Sequence, residues 1–448
     1  MAPRFLLLLG LGACGCSWSR FDDVSDNTPI VLLNEPGAAR GGFGVTLATA
    51  KINNRVRLIS GGGPGGGTAS AFEIGNGDQP ALDASDTAYC KSGGTGLCFL
   101  GSQLAGAGHV TASTGTKALD LCFIVGLGMT GPGPNERGIV TRCADTTEFA
   151  LPVPESIRAN FLDFALSVPQ SEIVAVTADR ADSPAILVSA PRISAAWFYA
   201  PDSSDPVELP PPETDPSYGK SLAVVRVGDV RVFAVGAPDT GRVWLFRSDG
   251  VAPVSYVGCL GTSARFGRTL TAGPVDKDAN DDLVVADAAT VSVFSGAALA
   301  ALPAATGTEC SLGGLPSGGL IASFGCGSNT EVTGCGESDF GRALAVGDLD
   351  ADGDGEVIVG APGMKARGEA RAGAILVYNV EGKGHEHDLT DVRFLSSAEE
   401  NDELGAALAT PAVGTRNIIA AGASGGGKTA LFYCSPLLSP DKAGARCQ

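Results

Sequence analysis

The stretch FGRALAVGDLDADGDGEVIVGAPG, from Phe340 to Gly363, followed by GAILVY at Gly373 to Tyr378, decides the fold. It opens on an aromatic-glycine turn, Phe340-Gly341, and runs through an alternating strand into an acidic loop. It then enters the apolar run VIVGAP, turns, and ends in a third apolar segment. Apolar runs this short, bounded by Gly and Pro and lacking a helical period, read as strands of a β-meander. The same order recurs along the chain. Phe43-Gly44 leads to RVRLISGGGP and ASAFEI, Leu104-Ala105 to DLCFIVGLG and RGIVTRC, and Phe164-Ala165 to AILVSAP and AAWFYA. Tyr218-Gly219 precedes VFAVGAP and GRVWLF, Phe266-Gly267 precedes DLVVADA and TVSVFS, and Leu404-Gly405 precedes NIIAAGAS and TALFYC. With Phe340-Gly341 these make seven units, starting roughly 50 to 75 residues apart, a period that signals a repeat architecture.

Composition agrees. The 448 residues include 63 Gly, with no three-residue period, which excludes collagen and calls for many tight turns. A hydrophobic content of 44% is too high for a disordered chain. The net charge of -18 repels phosphate backbones, so nucleic acid is excluded as a partner. A chain this long forms several ordinary domains unless one closed β architecture absorbs it.

Around Tyr218, Phe266 and Phe340 in particular, the chain resembles FG-GAP repeat proteins and is similar to the head of integrin α subunits; the second and third units depart from the FG pair at Leu104-Ala105 and Phe164-Ala165. The resemblance implies an all-β fold, a seven-bladed β-propeller with four-stranded blades. Closure follows from the residues themselves. The last unit supplies three strands and ends near Tyr433, while PIVLL, Pro29 to Leu33, has no partner of its own. Pairing the two removes both orphaned edges. Two stacked β domains are the alternative. The expected layout is a signal peptide at 1–13, a tether at 14–28, the propeller at 29–434 and a tail at 435–448.

The acidic loop of the sixth unit carries the clearest chemistry. Asp348, Asp350 and Asp352 alternate, Gly353 permits a bend, Asp354 can offer a carbonyl, and Glu356 stands at the ninth position. Ca²⁺ takes six to eight oxygens, and clustered carboxylates repel one another without a cation. An EF-hand needs Glu at position 12, where Val359 stands, so the loop reads as a β-hairpin calcium site of the FG-GAP kind, with Glu356 in place of the family's usual Asp. The fifth unit is a degenerate version: Pro274 takes the first position, while Asp276, Asp278, Asn280 and Asp282 keep the third, fifth, seventh and ninth. The corresponding position of the last unit is Ala412, without nearby acids, and no calcium is expected there.

Near the amino terminus, Arg4 precedes an apolar run from Phe5 to Leu11, and LGAC ends at Cys14. The run is too short to span a bilayer. The string resembles a bacterial lipobox, which implies lipidation at Cys14 and an extracytoplasmic lipoprotein anchored at the outer membrane or cell surface; Cys16 and a plain secretory signal are the alternatives. The remaining cysteines fall into neighbouring pairs: Cys90 with Cys98, Cys122 with Cys143, Cys259 with Cys310, Cys326 with Cys335, and Cys434 with Cys447. No CxxC occurs, so disulfides of an oxidising compartment are expected rather than zinc, and local pairing is the economical connectivity.

Two catalytic patterns are resisted. GASGGGKT, Gly422 to Thr429, matches the phosphate-binding GxxxxGK[ST] pattern, but ALFYC follows it as a strand where that mechanism needs a helix. GASGG around Ser424 fails as a nucleophile elbow for the same reason. Only His109, His385 and His387 could serve as neutral-pH bases, and the last two read as a solvated loop. The expected function is a monomeric, membrane-anchored, Ca²⁺-binding module that recognises a protein or glycan through loops on a rigid scaffold. The alternative is an extracytoplasmic enzyme with its site at the mouth of the propeller channel.

Overall fold

The computed structural model describes residues 205–249, 254–261, 264–307, 310, 319–327, 332–380 and 389–433. Before residue 205 it describes segments 30–34, 43–52, 55–61, 68–74, 81–82, 88–89, 105–106, 109–111, 118–120, 122–129, 137–143, 148–151, 154, 175–178 and 186–200. Cys14, the tether, Phe164-Ala165, Cys90, Cys98, Cys434, Cys447, His385 and His387 lie outside the described residues.

The fold is all-β, as the repeats require. Among the described residues seven sheets have four or more strands, and each unit contributes its strands in chain order. The fourth unit is representative: Ser221–Val227, Val230–Ala237, Arg242–Ser248 and Ser255–Gly261 pair antiparallel in sequence. In the sixth, Ala343–Gly347, Glu356–Ala361, Ala374–Tyr378 and Leu389–Arg393 do the same. The first strands form a cycle. Thr46–Ile52 neighbours Ala105–Gly106, and Ala175–Ala178, Ser221–Val227, Thr269–Gly273, Ala343–Gly347 and Leu404–Ala409 follow in order, the last returning to Thr46–Ile52. This cycle is a propeller arrangement, not two stacked β domains.

Core residues explain why the middle strands read as unbroken apolar runs. In Val230–Ala237, Phe233, Val235 and Ala237 pack with Leu187 and Phe198 of the third unit, while Val232 and Ala234 pack with Leu283 and Val285 of the fifth. In the sixth unit Val357 and Val359 share a cluster with Val284 and Val293 of the fifth, and Ile358 shares one with Ile419 and Ala421 of the seventh. A strand covered on both faces cannot alternate apolar with polar.

The aromatic-glycine pairs hold these sheets together. Phe43, Phe266 and Phe340 are buried and meet an aromatic of their own third strand edge-on: Phe72, Phe294 and Tyr378, at 6.0, 6.2 and 6.3 Å between ring centroids. The glycine that follows turns the chain at positive φ and presses on the preceding unit. A Cβ on Gly405 (φ +90) would fall 2.7 Å from the Ala374 carbonyl oxygen, and one on its counterpart Gly360 would fall 2.0 Å from the Gly405 carbonyl oxygen. Where both places are glycine, as at Gly360 and Gly405, they are two sides of one backbone-to-backbone contact; where Ser189 or Ala286 takes the place of the VGAP glycine, its Cβ is what the FG glycine faces.

Ring closure uses the same contact plus the strand expected from PIVLL. A Cβ on Gly422 would lie 1.8 Å from the Gly44 carbonyl oxygen, joining the last unit to the first. Ile30–Asn34 pairs antiparallel with Lys428–Phe432 as the outermost strand of the last sheet. Val31 and Leu33 enter a cluster with Phe43, Leu58 and Phe72 of the first unit and Ala420 and Leu431 of the last.

Disulfide Cys259–Cys310 joins the fourth unit's outer strand to the fifth unit between its third and fourth strands, and Cys326–Cys335 joins the residue that follows the fifth unit's outer strand to the turn before Phe340. Cys122 and Cys143 are Cα partners across neighbouring strands.

Candidate metal centre

The loop joining Ala343–Gly347 to Glu356–Ala361 is shaped by its own carboxylates. Asp348 accepts hydrogen bonds from the backbone N–H groups of Ala351 (2.6 Å) and Gly353 (3.2 Å). Asp350 accepts from Asp352 N–H and Asp352 from Asp354 N–H, each at 3.2 Å. Ala351 and Gly353 take positive φ, which folds the loop back on itself. Glu356 starts the next strand, is buried, and accepts from Leu349 N–H at 2.7 Å.

The outcome is convergence. One carboxylate oxygen each of Asp348, Asp350 and Glu356 lies within 4.8 Å of the others, the only such His, Cys, Asp and Glu grouping among the described residues. Burial raises the Glu356 carboxyl to about 8, and repulsion from Asp350 and Asp348 adds to it. Burial, then the charge of Asp352, also raises Asp350. Oxygen donors that resist ionisation together until a cation neutralises them suit a hard divalent ion. Asp352 and Asp354 stand outside this trio, and Asp352 is held down to about 2, first by its hydrogen bonding with Asp354 and then by the Lys277 ammonium.

Neighbouring units position the loop. Asp348 donates its N–H to Asn417 Oδ1 at 3.1 Å, and Asn417 donates its own N–H to the Asp348 carbonyl at 2.6 Å. Asn417 Nδ2 is fixed in turn by the Thr410 carbonyl at 2.8 Å. On the other side Lys277 Nζ lies 3.4 Å from Asp352 Oδ2 and 3.5 Å from Asp354 Oδ1. Sequence reasoning missed both residues; Lys277 stands inside the matching loop of the fifth unit, the one signal that pointed to it.

That fifth-unit loop has the same backbone shape but a different use of its acids. Asp276 accepts from Asp278 N–H at 2.9 Å and Asp278 from Asn280 N–H at 2.8 Å, and Ala279, like Ala351, takes φ 64. Asp282 stands where Glu356 does and accepts from Val275 N–H at 3.2 Å, but its other oxygen accepts from Gly296 N–H at 2.9 Å, at the start of a short helix, Gly296–Ala300. With Pro274 in the first position and both Asp282 oxygens committed to backbone, these acids do not gather as those of the sixth unit do.

The phosphate-loop mimic is a turn between strands. Residues 424–427 join Ile419–Ala423 to Lys428–Phe432, with no helix following. Ser424 donates to Glu403 Oε2 at 3.1 Å, Lys428 Nζ lies 3.9 Å from Asp402, and Thr429 shares a 3.0 Å hydrogen bond with Ser60. Its polar side chains are spent on the neighbouring units.

Residues 340–378, which carry the acidic loop, match the family model for the FG-GAP repeat. This segment is an FG-GAP repeat. The FG-GAP unit thus comprises the aromatic-glycine turn, the acidic loop and the VGAP strand described above. No curated protein matches the chain by sequence. Among solved structures, virginiamycin B lyase from Staphylococcus aureus is similar at TM-score 0.45 and 7% identity, covering 90% of this chain and 98% of that one. The Aleuria aurantia lectin, in complex with alpha-methyl-L-fucoside, is similar at TM-score 0.39 and 10% identity over 82% of this chain and 95% of the lectin. AofleA from Arthrobotrys oligospora stands at 0.41 and 9%, over 83% and 91%. No helix among the described residues is long and apolar enough to cross a membrane.

Proposed function

We propose that the chain is an extracytoplasmic recognition module, a propeller stabilised by Ca²⁺ in its FG-GAP unit, that binds a protein or glycan through its loops. The convergence of Asp348, Asp350 and Glu356 at the seam between units carries the calcium reading. The ion is structural in this reading: the three carboxylates meet only when the hairpin is folded, so the native chain binds and the unfolded chain does not. With a dissociation constant on the order of 0.1 to 1 mM, typical of extracellular modules, a 100-fold excess of calcium stabilises the fold by roughly 2.7 kcal/mol. Asp350→Ala is expected to remove most of this shift and Asp276→Ala little of it, in thermal melts with and without chelator. A wild-type midpoint that chelation leaves unmoved rejects the calcium reading.

Two disulfides among the described residues support an oxidising location. Anchoring through lipid on Cys14 is supported by the apolar run Phe5 to Leu11 and LGAC, with the polar residues Ser17 to Thr28 as tether. The mature protein is expected in the detergent phase with an acyl mass increment. Cys14→Ser with unchanged mass and partitioning would falsify this assignment.

A further inference from the structure

The fifth and sixth units meet at their acidic loops. A Cβ on Gly355 would lie 2.3 Å from the Pro274 carbonyl oxygen, so the backbones of the two loops are packed without a gap. Lys277 projects from one loop across this seam. Its ammonium lies 3.4 Å from Asp352 and 3.5 Å from Asp354, residues 75 and 77 positions further along the chain. Asp354 is the better buried partner, with 7% of its side chain exposed against 27% for Asp352. The lysine stem is half in solvent, so the head can leave without unfolding anything.

We propose that Lys277 is a built-in counter-cation of the sixth-unit loop: it competes with the divalent ion for the field of Asp352 and Asp354, lowers the loop's calcium affinity, and links occupancy to the seam between the fifth and sixth units. This rests on the calcium reading above and adds a regulator to it. Three observations carry it. The ammonium pairs with carboxylates two and four residues after Asp350 in the same loop, so a divalent ion held by Asp348, Asp350 and Glu356 is repelled by it. The packing of Gly355 on Pro274 fixes the distance between the loops, so the pairing is imposed by the assembled ring. Among the described residues the fifth loop gathers no carboxylate trio of its own, and its lysine reaches the acids of the neighbouring loop.

The test is calcium titration of the full chain, stripped with chelator, by isothermal calorimetry. Lys277→Met is expected to tighten calcium binding about three- to tenfold, the size of one like charge near a divalent ion in screened, high-dielectric surroundings. Lys277→Arg keeps the charge and is expected to bind as the wild type does. The gain in Lys277→Met is expected to shrink as ionic strength rises from 0.02 to about 0.5 M, because the competition is electrostatic. An affinity for Lys277→Met within twofold of wild type, in a protein whose calcium heat is lost in Asp350→Ala, overturns the counter-cation role and leaves the calcium site standing. Absence of calcium heat in the wild type rejects the site, and the counter-cation role with it. Chelator-treated Lys277→Met that melts cooperatively shows that the comparison is made on folded protein.

Discussion

Deletion of residues 30–34 is expected to abolish cooperative unfolding of the chain. The segment pairs along its whole length with Lys428–Phe432, from Ile30 opposite Phe432 to Asn34 opposite Lys428. Its loss leaves five residues of the last sheet as a bare edge, a template for pairing between molecules. Val31 and Leu33 are each more than nine-tenths buried, and removing two such side chains forfeits about 1.5 to 3 kcal/mol apiece, from a total stability that for ordinary domains is about 5 to 15 kcal/mol. They also cap the cluster in which first and last units meet, so Phe43 and Leu58 become accessible with them. Size-exclusion chromatography and a circular-dichroism melt check the outcome. A deleted chain that elutes at the parent's volume and melts as before would show that the Gly44–Gly422 contact closes the ring without the strand.

Glu356→Gln is expected to move stability in opposite directions with and without calcium. In chelator at pH 7 the variant gains up to about 3 kcal/mol, the cost of a buried carboxyl whose value is raised from 4.5 to about 8. The sign follows from proton uptake. Below pH 4.5 the carboxyl is protonated in both states; between 4.5 and about 8 the unfolded chain ionises while the folded chain holds its proton, so calcium-free stability falls as pH rises. Glutamine has no proton to hold and escapes that loss, while its side chain can still accept from Leu349 N–H. With millimolar calcium the order reverses, because the ionised carboxylate is the form that binds and the amide is a weaker ligand. Urea midpoints at pH 5, 7 and 8, in chelator and in calcium, test both halves. A wild-type midpoint in chelator that is no lower relative to the variant at pH 8 than at pH 5 contradicts the raised carboxyl.

The repeat was legible because it is written in local chemistry. An aromatic followed by glycine at positive φ, a run such as VIVGAP, and a hairpin of alternating acids each follow from chain sterics and burial within one unit. The fourth strands were harder to see. Ser255–Gly261, Leu320–Gly325 and Leu389–Arg393 lie beyond a register shift in their pairing with the third strand, and the first two are only partly buried, so they lack the apolar run that marks the middle strands.

By itself the sequence determined the all-β repeat, the turn glycines, the outer strand awaiting a partner, and the acids that could meet a cation. Tertiary structure decided what those acids do. Asp282 and Glu356 occupy the same place in their loops, but Asp282 spends its second oxygen on Gly296 N–H while Glu356 joins Asp348 and Asp350. Asn417 holds Asp348 from 69 residues away, and Lys277 reaches Asp352 across 75. Such pairs depend on how one unit is set against the next. That setting is fixed when each FG glycine seats on the preceding unit and, for the first and last units, when the first strand closes the ring, because a loop takes its final surroundings from the units on either side of it.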